Sequence, residues 1–310
     1  MTQERIERIA ALAKSAGLDA VAMIPSPNFL WTVGLSKHLS ERPCVLIIRA
    51  DGEAGIIAAG FEIPSIQSVF PAIQPFPFRD NPSYWGEAFA EAGKRLGLSG
   101  KTLGVEPRHF RFTEYDFFAS NVPNLTVVGA AEFFSTLRLR KTTDELMKMK
   151  KAAKIAEKAL EDTLPIVKPG VRELEIANTL IMNLIRRGSS IDLPFDPIIA
   201  SGPNSADPHA AVSEREVQAG EFVLIDWGAR FEGYCSDLTR TFAVGSISEG
   251  MRTVHNLVAS ANRAAFVSVK PGVAAGEVDA AARNLIRDGG YDGFFTHRLG
   301  HGLGMECHED

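Results

Sequence analysis

Residues 296–310, THRLGHGLGMECHED, thread three histidines, His297, His301 and His308, through glycines. Imidazole binds divalent metals and moves protons near neutral pH. His297 and His301 are four residues apart, a spacing that on a helix would suit a zinc site. Gly300, Gly302 and Gly304 argue against a helix. In an extended segment the even spacing still places both histidines on one face. The glycines would also let a second backbone or a substrate approach closely. A glycine-rich phosphate cradle is the competing reading, weakened because neither a lysine nor P-loop spacing follows.

Residues 221–244, EFVLIDWGARFEGYCSDLTRTFAV, read as a β-hairpin turning at Glu232-Gly233. A two-residue turn pairs Phe231 with Tyr234, and counting back puts Asp226 opposite Thr239. Asp237 lies two residues from that partner on the same face, and diagonal neighbours of this kind are roughly 7–8 Å apart at most. Two such carboxylates repel unless positive charge lies between them. The bland alternative is one solvated aspartate and one turn cap. Val223, Leu224, Ile225, Leu238 and Phe242 make the flanks apolar, and a buried carboxylate without a partner is costly. Arg240 falls on the opposite face, so a cation or a pair of cations is the better partner. Aspartate with histidine suits manganese, cobalt, iron or zinc better than an all-oxygen calcium or magnesium site. His38, His109 and His255 read as structural hydrogen-bonders. His209 lies on a loop following an apolar strand in PFDPIIASGPNSADPHA.

The elements that must position these groups fall into two parts. In the first, residues 4–16 place Ile6, Ile9, Leu12 and Ala13 on one helical face. Strands at 19–24, 44–50, 55–59, 101–106 and 125–129 and a helix at 85–98 give an α/β pattern. The proline-rich stretch 70–82 reads as a loop. The boundary lies before a helix opened by the capping box Thr142…Glu145, with Leu146, Met149, Ala153, Ala156 and Leu160 as its apolar stripe. This divides the chain into domains 1–137 and 138–310.

The second part repeats itself. VKPGV occurs at 167–171 and 269–273, each copy between two helical segments, with Glu175 matching Glu277 and Ile176 matching Val278. The first copy runs on into a strand, the His209 loop and the aspartate hairpin. The second runs into an aromatic strand near 291–296 and the histidine loop.

Composition sets outer limits. A chain of 310 residues accommodates about two domains. With 45% hydrophobic and 23% charged residues it reads as a globular protein. A net charge of −5 argues against an electrostatic nucleic-acid binder. The N-terminus lacks an apolar signal core, and no apolar run reaches the roughly 20 residues of a membrane span. Three scattered cysteines read as reduced thiols in a cytoplasmic protein.

Taken together, IDWGARFEGYCSDLTRTF and HRLGHGLGMECHE resemble the proline-specific metallopeptidases of the pita-bread superfamily, Xaa-Pro dipeptidase (prolidase) and aminopeptidase P. The resemblance covers nearly the whole chain. It implies a creatinase-like α/β N-terminal domain followed by an α+β pita-bread catalytic domain, here lacking its last strands. It further implies a two-metal site in which Asp226, Asp237 (bridging) and His301 are ligands. Two glutamate ligands would lie further downstream, so weak metal binding and impaired hydrolysis are expected of the 310 residues alone. His209, His297 and His308 match cleft histidines that act on the substrate, a small peptide with proline at its second position. A homodimer is implied as well. A hydrolase or lyase of small non-peptide solutes, or a non-enzymatic pita-bread binding module, are the other readings.

Overall fold

The computed structural model describes residues 2–309, and the chain divides into two compact units, Met1–Arg140 and Lys141–Asp310.

The first unit contains helix α1 (Thr2–Ser15), strand β1 (Ala20–Met23), α2 (Pro27–Val33), β2 (Val45–Arg49), β3 (Ala54–Ala59), α3 (Ile63–Val69), β4 (Gln74–Phe78), α4 (Trp85–Arg95), β5 (Thr102–Val105), α5 (Phe112–Asn121), β6 (Thr126–Gly129) and α6 (Ala131–Arg138). Its strands form one mixed sheet in the order β4-β3-β2-β1-β5-β6. The near-continuous apolar runs AVAM and AGIIAA are buried along their whole length, as expected of strands covered on both faces. Helix α4 lays Trp85, Ala88, Phe89 and Ala92 into this core. The proline-rich stretch read as a loop contains β4. Pro75 and Pro77 lack the N–H a central strand would need, but β4 is an edge strand paired only with β3, where proline is tolerated.

The second unit contains α7 (Thr143–Thr163), α8 (Glu173–Arg186), β7 (Ile198–Ser201), β8 (Glu221–Trp227), β9 (Arg230–Phe231), β10 (Tyr234–Cys235), β11 (Leu238–Val244), α9 (Glu249–Ser268) and α10 (Ala275–Asp288). The capping box forms: Glu145 N donates to Thr142 Oγ1 at 3.3 Å and Thr142 N to Glu145 Oε2 at 2.7 Å. The buried stripe of α7 is Ala152, Ile155, Ala156, Ala159 and Leu160, and the expected member Leu146 is 45% exposed. Ala156 and Leu160 are common to the expected and the observed stripe, and Ala156 O accepts the buried Trp227 indole N–H at 2.9 Å.

The repeat is visible as two helix pairs of matching length, 21 and 14 residues for α7 and α8, 20 and 14 for α9 and α10. The aromatic strand expected near 291–296 is instead a short 3-10 turn at Asp292–Phe294. Its aromatics do not form a ladder: Phe294 is 83% exposed, whereas Phe295 packs against the α9–α10 core.

Candidate metal centre

Strand β8 alternates strictly. Val223, Ile225 and Trp227 point into the core beneath α7 and α8, so Asp226 emerges on the other face. The turn at Glu232-Gly233 sets what lies beside it. Both residues have positive φ, 47° and 85°, the geometry of a tight hairpin turn. Phe231 pairs with Tyr234 and Asp226 with Thr239, the register obtained by counting. The hairpin is interrupted between β9 and β8. There Ala229 N donates to Ser236 Oγ at 2.9 Å, and a Cβ on Gly228 would collide with Ser236 O.

The histidine loop returns to this hairpin. Gly304 O accepts from Cys235 N at 2.7 Å, and Met305 O accepts from the Arg230 guanidinium at 2.9 Å. Gly302 and Glu309 exchange two backbone hydrogen bonds, which closes the loop on itself. Inside it, the Glu309 carboxylate accepts from Met305 N at 2.9 Å, from Glu306 N at 3.3 Å and from Lys141 Nζ at 2.9 Å. The Met305 and Glu306 amides are therefore taken by a carboxylate of the chain itself, and those of Gly302 and Gly304 by backbone carbonyls. That removes the phosphate reading.

These contacts bring His301 to Asp237, with Nε2 3.3 Å from Oδ2. His301 Nδ1 is 2.9 Å from Gly302 O. A carbonyl only accepts, so Nδ1 carries the proton and a neutral His301 turns the lone pair of Nε2 toward Asp237. Two lone pairs at that distance need a proton or a cation between them. Cys307 Sγ donates to the same Oδ2 at 3.2 Å. Burial and this hydrogen bond push the thiol pKa up, so it remains a donor.

Asp226 completes the acidic side. Burial, and behind it the charge of Asp237, pushes its carboxyl up to about 6, although Thr239 donates to it. Its Oδ1 is buried with no hydrogen-bond partner. A buried, orphaned carboxylate oxygen beside a second carboxylate and an imidazole lone pair is a donor set that fits a divalent cation. The side chains are not gathered into a finished shell: among the described residues no group of three or more His, Cys, Asp or Glu converges as a metal-holding cluster.

The other histidines are dispersed. His308 packs against His301 with ring centroids 4.1 Å apart and the ring planes tilted by 46°. His297 packs edge-on against Phe295 at 5.0 Å and bonds Arg298 O through Nδ1 at 2.8 Å. The loop is irregular there, so His297 and His301 do not share a strand face. His209 is exposed on the loop after β7, its backbone N–H donating to Asp207 at 2.9 Å. Among the described residues no hydrogen bond or ring contact joins it to Asp237 or His301. Sequence reasoning passed over Cys307, Glu309 and Lys141. Only the proximity of Cys307 and Glu309 to His308 in the chain could have flagged them.

An antiparallel hairpin offers two carboxylates toward a histidine on a glycine-rich loop, beside a repeated helix pair, a donor set suited to a divalent cation. Residues 147–310 match the family model of metallopeptidase family M24, and residues 5–140 that of the creatinase/prolidase N-terminal domain. The uncharacterized peptidase YqhT of Bacillus subtilis is 37% identical over 312 residues, covering 98% of this chain and 83% of the relative. An Xaa-Pro dipeptidase from Bacillus anthracis superposes with a TM-score of 0.90 at 30% identity, covering 100% of this chain and 84% of the other. A prolidase from Thermococcus sibiricus does so with 0.92 at 31%, covering 100% and 84%. The chain belongs to metallopeptidase family M24 and has the creatinase-type N-terminal domain and pita-bread catalytic fold of that superfamily.

Proposed function

We propose that this chain hydrolyses the peptide bond preceding proline in small peptides, with Asp226, Asp237 and His301 holding divalent metal. The observation that carries the reading is the approach of His301 Nε2 to Asp237 Oδ2, 3.3 Å, beside the orphaned Asp226 Oδ1. Proline selectivity is supported by the Xaa-Pro dipeptidase and prolidase among its structural neighbours.

In this reading Asp237 and Asp226 supply oxygen donors and His301 the imidazole donor to two ions of manganese, cobalt, iron or zinc. When bound, the ions supply Lewis acidity toward water and the scissile carbonyl. His308, packed against His301, offers a ring N–H to negative charge developing on the carbonyl oxygen, a contribution worth about 3 kcal/mol in comparable sites. His209 and His297 orient the peptide and relay the proton that the leaving proline nitrogen needs.

Asp279 and Arg283 support this by holding the stretch before the loop. Asp279 accepts from Leu299 N at 2.8 Å, and Arg283 donates to Phe295 O and His297 O at 2.9 Å each. Three unpaired thiols suit a reducing cytoplasm, and a homodimer is part of the proposal. No helix among the described residues is long and apolar enough to cross a membrane.

The test compares hydrolysis of an Xaa-Pro dipeptide with that of the matching Xaa-Ala dipeptide by manganese-loaded protein. Preferential cleavage of the first is expected. Equal rates, or cleavage of solute amides alone, would refute proline selectivity.

A further inference from the structure

Glu173, the first residue of α8, is fully buried. A carboxylate out of water is costly unless donors surround it. Here they do, and their arrangement is directional. Oε1 accepts from Ser201 N and Ser201 Oγ, both at 2.7 Å. Oε2 accepts from Ser213 Oγ at 2.6 Å and Ser213 N at 3.2 Å. Asn204 Nδ2 spans the two oxygens at 3.1 Å each. Ser201 is the last residue of β7, and Ser213 lies beyond the loop that carries His209. One oxygen thus holds each end of that loop. Arg215 braces the arrangement, donating to Ser201 Oγ at 2.6 Å while paired with Glu221 at 2.6 Å.

The repeated helix pair does not by itself require this glutamate. With Glu175 matching Glu277, the counterpart of Glu173 in α10 is Ala275. In that half the histidine loop is held by other carboxylates, Asp279 on Leu299 N and Glu309 on Met305 N. The buried glutamate is therefore particular to the half whose loop presents His209.

We infer that Glu173 is a positioning residue for the peptide substrate: by clamping both ends of residues 202–212 it fixes where His209 meets the peptide. The inference rests on the reading of His209 as a peptide-binding group. It predicts that loosening the clamp acts through His209 and leaves the metal ligands in place.

The test uses Glu173→Ala and the same-size Glu173→Gln, alone and combined with His209→Ala, with folding checked by thermal melts. Amide hydrogen exchange of the metal-free protein should rise across residues 201–213 in Glu173→Ala, less in Glu173→Gln, with β8 and β11 unchanged. In the manganese-loaded protein KM for an Xaa-Pro dipeptide should rise by roughly 10- to 100-fold, and adding His209→Ala should add little. Undisturbed exchange in residues 201–213, or effects of the two substitutions that multiply independently, would overturn the proposal. If Glu173→Ala does not fold, Glu173→Gln carries both readouts. Should the wild-type protein cleave no Xaa-Pro dipeptide, the proposed function fails, while the exchange measurement still decides whether Glu173 clamps the loop.

Discussion

Lys141 and Glu309, 168 residues apart in the chain, form an ion pair of 2.9 Å whose side chains are only 14% and 7% exposed. Lys141 immediately precedes the capping box of α7, and Glu309 sits at the heart of the histidine loop. The pair ties the loop bearing His301 and His308 to the base of the longest helix. Removing one partner of a buried pair costs more than the pair is worth, because the other charge is left uncompensated. Lys141→Met should lower unfolding stability by about 3 kcal/mol. Glu309→Gln, which keeps an oxygen for the loop amides, combined with Lys141→Met should cost less than the sum of the two. Urea denaturation of the four proteins checks this.

Gly304 is constrained where Gly300 is not. A Cβ at Gly304 would strike the Glu309 carboxylate, whereas one at Gly300 meets nothing within 4 Å. Gly304→Ala should destabilise by roughly 1–3 kcal/mol, the usual cost of forcing atoms into a filled site. Gly300→Ala should be near neutral, and thermal melts of the two variants check the difference. Of these two glycines, Gly304 is the one the loop's own packing requires to be small.

Asp226→Asn should separate stability from function. The carboxylate is pushed up by burial and by Asp237, so its charge opposes folding when no cation is bound. The amide should raise metal-free stability by on the order of 1 kcal/mol, a modest figure because solvent screens part of the charge. It should also weaken manganese binding. A melt of the metal-free proteins and a manganese titration give the two readouts.

Glu173 should shape the acid limb of stability. Burial alone would raise its pKa, but hydrogen bonds from Ser213, Ser201 and Asn204 outweigh this and hold it below the ordinary 4.5. The folded state therefore takes up this proton less readily than the unfolded chain. Its stabilisation is complete above pH 4.5 and is lost as pH falls through 4.5 toward the lower folded value. Glu173→Gln should cost about 1–3 kcal/mol at neutral pH by leaving serine donors poorly matched. It should also flatten the decline between pH 5 and pH 3 in denaturation measured across that range.

The hairpin was legible because a two-residue turn leaves one way to count. With Glu232 and Gly233 at the tip, Asp226 has to face Thr239. The pairing of His301 with Asp237 was less accessible. It depends on a loop that returns across 64 residues to the hairpin, held by backbone carbonyls that no side-chain pattern encodes. Strand β4 was hidden by its own chemistry, since Pro75 and Pro77 mark a loop except at a sheet edge. Glu173 looked like an ordinary acidic residue at a helix start. Its partners lie 28, 31 and 40 residues away, and only the folded chain reveals that one carboxylate holds both ends of a loop.

Asp226, Asp237 and His301 are proposed to hold divalent metal. Titration of the protein with manganese, followed by the loss of the free-ion electron paramagnetic resonance signal, tests this most directly. Saturable binding is expected of the wild-type protein and of His255→Ala, and binding weakened at least about tenfold in Asp237→Asn and His301→Ala. Equal binding by the wild-type protein and Asp237→Asn would contradict this assignment.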